Sequence, residues 1–277
     1  MENRIEGVHF QITRQCNLRC AFCGQWGKNG AFHDSSGTEM TLADWERAVC
    51  ELEALTVRPN ITVWGGEPLV SAVFKNVTEC LAGFKCALVT NGTLMEKHAA
   101  LLERYYKRVY VSLDGTREVH DALRGEGVFD KAVRGIKSIS KEKVTLMCVA
   151  TKELDIGRFA AEFEDYEIIL HQQIPFSGAA VNVGTNLPKN VTARRHGKEA
   201  LLPCCGAPWK HMHLHWNGDV NFCTDFYDYT IGNFREASLC EIFSSVRAEA
   251  FRGKVSRGEY KNCEHCSWKN SESFYIE

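Results

Sequence analysis

The 277-residue chain has no apolar run long enough to cross a membrane; Leu146–Ala150 is typical of its longest stretches, where about 20 residues would be needed. Its opening residues, MENRIEGVHFQITR, lack the apolar core of a secretion signal. Charge of one sign is also lacking. Against 33 Lys+Arg stand 35 Asp+Glu, a net charge of −2, which argues against a polyanion-binding surface as the main business. There is no internal repeat and no low-complexity tract, and 44% hydrophobic with 25% charged residues is ordinary for a globular protein. Disorder and coiled coil are thereby excluded as the main plan. What the chain has in quantity is cysteine, thirteen in all. That is too few for a disulfide miniprotein of this length. Without a secretion signal the expected compartment is the cytoplasm, where thiols stay reduced. Clustered cysteines there point to metal or catalysis, and neither a membrane nor nucleic acid is expected as partner.

Short β-type runs alternate with helical patterns through the first two-thirds. Val8–Ile12 alternates like a strand. Thr41–Leu55 reads as a helix, with Thr41 as cap, Asp44 three residues later, and a stripe of Leu42, Trp45, Val49, Leu52 and Leu55. Further strands are expected at Ile61–Trp64, Cys86–Val89, Val109–Leu113, Val144–Ala150 and Glu167–Leu170, and further helices at about 70–81, 95–105, 129–139 and 156–163. About six β-then-α units predict an α/β fold with a parallel sheet. Six units fall short of a closed eight-fold barrel, so a partial (β/α)6 TIM-like barrel is expected over 1–171. Gly65-Gly66-Glu67, Asn91-Gly92 and Asp114-Gly115 follow strands, at the carboxyl ends where such folds place the active face. Residues 172–203, rich in Gly, Pro, Asn and Thr, read as a connection. Residues 204–277 read as a small α+β module. It has a hairpin of His211–Trp216 and Val220–Phe222 around Asn217-Gly218-Asp219, then a helix near 239–250.

The most specific feature is Cys16-Asn17-Leu18-Arg19-Cys20-Ala21-Phe22-Cys23, directly after the first strand. Three thiolates so close together can wrap one small inorganic centre. A zinc site would want a fourth close ligand. An iron–sulfur cube usually takes four cysteines, so three leave one iron uncapped. At these residues the sequence resembles the radical S-adenosylmethionine (SAM) superfamily, whose signature is Cys-x3-Cys-x2-Cys with an aromatic before the last Cys, here Phe22. The resemblance runs in order over residues 8–171. Gly65-Gly66-Glu67-Pro68 is similar to the segment that receives the SAM amino group, and Thr90-Asn91-Gly92 to the end of the third strand. Ser112-Leu113-Asp114-Gly115 and Arg124-Gly125 are similar to segments near the SAM ribose and carboxylate. The resemblance implies a 4Fe–4S cluster on Cys16, Cys20 and Cys23 whose open iron takes SAM. It implies reductive SAM cleavage, and a 5′-deoxyadenosyl radical that abstracts hydrogen from a substrate. Glu67 suits SAM's amino group, and Arg124, a planar bidentate donor, suits a carboxylate.

A second constellation is C-terminal: Cys205, Gly218, Cys223, then Cys263 and Cys266 as Cys-x2-Cys. This order resembles the SPASM and twitch extensions, which hold an auxiliary 4Fe–4S cluster. No cysteine follows Cys266, which favours the shorter twitch version. Cys204 competes with Cys205, and the spacing to Cys223 favours Cys205. Two cysteine pairs also suit a four-cysteine zinc site, and a zinc-stabilised binding module is the non-enzyme alternative. Among the other cysteines, Cys50 and Cys86 read as small buried hydrophobes and Cys80 and Cys240 carry no signal. Cys148, near the end of the fifth strand, is either core packing or a hydrogen donor of the kind resembling epimerases use. His211, His213 and His215 share one face of a strand, read as half-exposed because same-face side chains stand in a row without converging. The basic run 194–198 reads as solvated, and His171 and Gln173 as candidates to line the reaction chamber.

The resemblance implies modification of a ribosomally made peptide by oxidation, crosslinking or epimerisation. The alternative is dehydrogenation or epimerisation of a sugar or aminocyclitol, and the lack of an extra N-terminal domain to grip a leader peptide weakens the peptide case. A reductase such as flavodoxin or ferredoxin is the implied electron donor. Anaerobic reconstitution followed by iron and sulfide analysis separates the classes: two cubes require about eight irons per chain and one cube about four, whereas zinc without iron would reject radical chemistry.

Overall fold

The computed structural model describes residues 5–26, 37–172, 186–194, 205–223 and 229–260. In chain order the elements are β1 (Gly7–Gln11), α1 (Leu42–Glu53), β2 (Asn60–Trp64), α2 (Phe74–Cys80), β3 (Cys86–Thr90), α3 (Met95–Tyr105), β4 (Arg108–Ser112), α4 (Arg117–Arg124), α5 (Val128–Lys137), β5 (Val144–Ala150), α6 (Ile156–Glu162), β6 (Glu167–Gln172), β7 (Val191–Arg194), α7 (Ala207–Lys210), β8 (His211–Leu214), β9 (Asp219–Asn221), β10 (Gly232–Asn233), α8 (Leu239–Phe243) and α9 (Val246–Ser256). The alternation of strand and helix from β1 to β6 is the α/β pattern expected. Two compact units form. One contains Met1–Arg14, Ser36–Ala87 and His196–Glu277; the other contains Gln15–Ser35 and Leu88–Arg195. The division falls within β3.

In the first unit β1 pairs in parallel with β2 and, on its other side, in parallel with β8. The antiparallel β9 and β10 continue from β8. The connection from β1 to β2 carries α1, as parallel neighbours require a crossover. Thr41 and Asp44 cap α1 with a reciprocal capping box. Its buried stripe is Trp45, Ala48, Val49 and Leu52, and the Trp45 and Phe10 rings lie 5.1 Å apart. Cys50 is exposed, not buried as expected, because it lies off that stripe. The expected helix over 70–81 is a short 3-10 turn at Pro68–Val70 followed by α2. The helix expected near 239–250 is two helices, because Ser245 breaks off α8 and caps α9 by accepting the Ala248 N–H. This C-terminal stretch packs on α1: the Arg47 guanidinium lies 3.9 Å over the Phe234 ring, and Glu51 accepts the Leu239 N–H at 2.8 Å.

In the second unit β4, β5, β6 and β7 pair in parallel. β7 lies in the stretch read from sequence as connection only. Val109 and Val111 of β4 stand in register with Val144 and Leu146 of β5, and all four are buried. Helix α4 was not foreseen. Its eight residues carry few apolar positions, Val119 and Leu123 among them, too few for a periodic stripe. α5 packs against the turn after β3 through glycine. A Cβ on Gly135 would stand 2.2 Å from the Gly92 carbonyl oxygen, and one on Gly92, whose φ is +80°, would stand 2.8 Å from Val111 Cγ1. Gly135→Ala would gain about 1 kcal/mol of helix propensity but force this backbone contact apart. The net expectation is a loss of about 1–3 kcal/mol, read as a lower unfolding midpoint; a raised midpoint would overturn the close-approach account.

Candidate active site

The cysteine loop follows β1 and belongs to the second unit. Cys16, Cys20 and Cys23 are half-buried. Each sulfur has an N–H directed at it. Leu18 N–H lies 3.3 Å from Cys16 Sγ, Trp26 N–H 3.4 Å from Cys23 Sγ, and Arg124 Nη1 3.9 Å from Cys20 Sγ. Asn91 Nδ2 lies 4.0 Å from Cys16 Sγ. Hydrogen bonds to sulfur favour the thiolate and tune a bound cluster. Side chains at the end of β3 fix the start of the loop. Asn91 donates to Asn17 Oδ1 at 2.9 Å, and Asn17 donates to Thr93 Oγ1 at 2.9 Å. Ala21 N–H donates to the Leu123 carbonyl of α4 at 3.0 Å. Asn17 was missed by sequence reasoning; its only signal is its place beside Cys16.

Arg124 ends α4, where Gly125 has a φ of +121°. Its Nε donates to Asp114 Oδ2 at 2.5 Å, and its guanidinium lies 5.3 Å from the centre of the Phe22 ring. The Asp114 carboxylate is fully buried, and its Oδ1 accepts the Val149 N–H of β5 at 2.9 Å. Asp114 N–H donates to His120 Nδ1 at 3.0 Å. His120 therefore uses Nδ1 as acceptor, and burial lowers its pKa to about 4. Asp114 is thus spent on protein partners and acts through Arg124, which it aims at Cys20. Burial pushes the Cys20 thiol up, and the Arg124 charge opposes that shift.

In the first unit, Gly65 lies where the ends of β1 and β2 almost touch. A Cβ there would stand 2.6 Å from the Thr13 carbonyl oxygen, and Gly66 N–H donates to that oxygen at 2.9 Å. Glu67 is fully buried, and its Oε1 accepts the Leu69 N–H at 3.0 Å. Cys205 and Cys223 are half-buried. Cys205 precedes α7, and Cys223 follows β9 by two residues. The pairing His213↔Asn221, extended by two, sets Cys223 level with His211. The hairpin turn spans residues 215–218, with Gly218 at φ +90°, where Asn217-Gly218-Asp219 was expected. Cys204, Cys263, Cys266, Gln173 and residues 195–198 of the basic run lie outside the described residues.

Among the described residues, no three His, Cys, Asp or Glu side chains converge on a single metal ion. A cube places each thiolate on a different iron, so its ligands stand further apart than those of one ion. The three thiols with their N–H donors fit such a group.

A family model for the radical SAM superfamily matches residues 10–157. The chain belongs to the radical SAM superfamily. A second model, for an iron–sulfur cluster-binding domain of SPASM type, matches residues 204–267. The cofactors are accordingly 4Fe–4S clusters and SAM. Fe-coproporphyrin III synthase of Methanosarcina barkeri is 26% identical over 94% of this chain and 80% of its own length. The antilisterial bacteriocin subtilosin biosynthesis protein AlbA of Bacillus subtilis is 26% identical over 85% of this chain, which spans 59% of AlbA. The structure of Streptococcus suis SuiB bound to its precursor peptide SuiA superposes with a TM-score of 0.68 at 17% identity, covering 98% of this chain and 71% of that one. No helix among the described residues is long and apolar enough to cross a membrane.

Other residues singled out in this radical SAM chain fall on both faces of its strands. Cys148 is buried and follows Leu146 on the face that includes Val111, the face in contact with α5 and its glycine turn. Ser112 pairs with Met147, and His171 with Val149, on the opposite face. Cys148 is thus placed for packing. Its thiol is pushed well up by burial, with the Asp114 charge adding to the shift.

The histidine row is buried and not half-exposed: His211, His213 and His215 are at most 7% accessible, with the His9 and Trp64 rings packed against them. His9 stacks on His213 at 4.3 Å. Burial lowers His9 and His215 to about 4, His211 to about 3, and His213 well below 6.5. Between these values and about 6.5 the unfolded chain binds protons that the folded chain does not. The stability they contribute is therefore complete above about 6.5 and lost as pH falls toward 4. The unfolding midpoint should drop by at least about 5 °C between pH 7.5 and 5.5; a midpoint unchanged across that window would contradict neutral burial of the row.

Proposed function

We propose that this radical SAM protein modifies a ribosomally made peptide by oxidation, crosslinking or epimerisation. The observation that carries the chemistry is the cysteine loop, in which three thiols each meet an N–H donor and Arg124 is held beside Cys20. On this reading Cys16, Cys20 and Cys23 hold the SAM-binding cluster, and Cys205, Cys223, Cys263 and Cys266 hold an auxiliary one. When bound, the reduced cluster and SAM together supply a 5′-deoxyadenosyl radical that takes a hydrogen atom from the substrate. The chain's residues hold and shield that chemistry. Arg124 offers a cation to a carboxylate, Asp114 fixes its direction, and Asn91 orders the loop. Ser112 is assigned to the SAM ribose, and Gly65, Gly66 and Glu67 to the SAM amino group. The division into a core over 1–171, a connection over 172–203 and an auxiliary-cluster module over 204–277 is part of the same proposal, as is a flavodoxin or ferredoxin as electron donor.

The peptide class rests on relatives whose names tie them to peptide products or substrates, AlbA and SuiB. Cys16→Ala should lose about four irons per chain and all dithionite-dependent 5′-deoxyadenosine; undiminished production would refute the ligand assignment. Cys263→Ala should retain SAM cleavage and lose modification of the peptide that the unaltered protein converts, read by mass spectrometry. Turnover of an aminocyclitol with the peptide untouched would select the small-molecule alternative.

A further inference from the structure

The strand pairing of the first unit builds two adjacent rungs on one sheet face. His9 stands opposite His213 on one side and Thr62 on the other. Two residues on, Gln11 stands opposite Trp64, and on its other side its Oε1 meets His215 Nδ1 at 2.5 Å. An amide oxygen only accepts, so His215 Nδ1 carries the proton in this bond. The Trp64 ring lies 6.3 Å from His213 and 6.4 Å from His215, edge to face. Gln11 and Trp64 are the last residues of β1 and β2, so this rung lies at the carboxyl ends, where parallel α/β folds place ligands.

Three polar atoms on these rungs are buried and, among the described residues, have no hydrogen-bond partner: Gln11 Nε2, Trp64 Nε1 and His213 Nδ1. Gln11 is wholly inaccessible and His213 is 7% accessible. Buried polar atoms in folded proteins are almost always satisfied, so the two N–H donors of the strand-end rung, Gln11 Nε2 and Trp64 Nε1, call for an acceptor that the described residues do not supply. Gln11 and Trp64 both offer N–H groups, which a carbonyl oxygen would accept. None of the rung residues is Asp, Glu, Lys or Arg, and the imidazoles are neutral near pH 7 because burial lowers them. A carboxylate, phosphate or ammonium placed here would lose its hydration without gaining a counter-charge.

We propose that the face formed by Gln11, Trp64 and His213, flanked by His9 and His215, binds an uncharged carbonyl-bearing group of the substrate, an amide in particular. This rests on the peptide reading and narrows it: the group seated here is a peptide amide or an amide side chain, and not an acidic or basic one.

The test uses the cluster-loaded, oxidised protein labelled with 15N in Trp and His, titrated with three probes of one shape: benzamide, benzoate and benzylamine. The Trp64 indole signal is assigned by its disappearance in Trp64→Phe. Benzamide should shift it saturably, with benzoate and benzylammonium at least about tenfold weaker. Gln11→Leu should weaken benzamide at least about fivefold. Trp64→Phe, followed through the His213 resonance, should do the same if Gln11→Leu fails to fold. Equal binding of a charged probe, or a Trp64 signal indifferent to all three, would overturn the proposal. The readout needs no SAM cleavage, so it fails or succeeds separately from 5′-deoxyadenosine production.

Discussion

The second unit depends on one buried carboxylate. Asp114 has no access to water, so its charge must be met by protein. Arg124 meets it from the end of α4, Val149 N–H from β5, and the Asp114 backbone holds His120 from the middle of α4. Helix α4 and strand β5 are thereby locked at the carboxyl end of β4. The same guanidinium then faces Cys20 and stacks near Phe22, so the ion pair that fixes the fold also sets the electrostatics of the cysteine loop. Removing either partner would leave the other charge buried and uncompensated, which is why the pair acts as one unit.

The first unit is organised by a different constraint. A strand from the C-terminal part of the chain, β8, pairs in parallel with β1. The segment matched by the iron–sulfur cluster-binding model is thus packed onto the N-terminal strands through a backbone ladder, with Arg47 and Glu51 of α1 adding side-chain ties. β8 is buried on both faces. That burial turns an ordinary alternating strand into a row of neutral imidazoles beside Gln11 and Trp64. Neutrality here is a consequence of desolvation, and it sets the chemical character of the face.

Much of the fold was legible because it is local. The capping box at Thr41, the span of α3 and the span of β5 coincide with the sequence reading. Glycine after a strand was legible as a feature, yet its reason differs by site: Gly65 allows β1 and β2 to close together, and Gly92 admits α5. α4 escaped notice because its residues are mostly polar and its role is to carry Arg124. Cys50 was misplaced because a helical stripe admits only some positions to the core. The histidine row was misjudged because exposure depends on what lies beside a strand, and β1 is some two hundred residues away in the chain.

The sequence by itself determined the superfamily, since three cysteines at fixed spacing after a strand are a covalent pattern that needs no tertiary contact to be recognised. It likewise determined the alternation of strands and helices from β1 to β6 apart from α4, which hydrophobic periodicity encodes locally. Only the tertiary structure decided that Asp114 is spent on Arg124, that Cys148 faces the packed side of its strand, and that His9 and His213 stack. Those facts arise from register and burial, which are set by which strands become neighbours. A one-residue change of register would put each of these side chains on the other face.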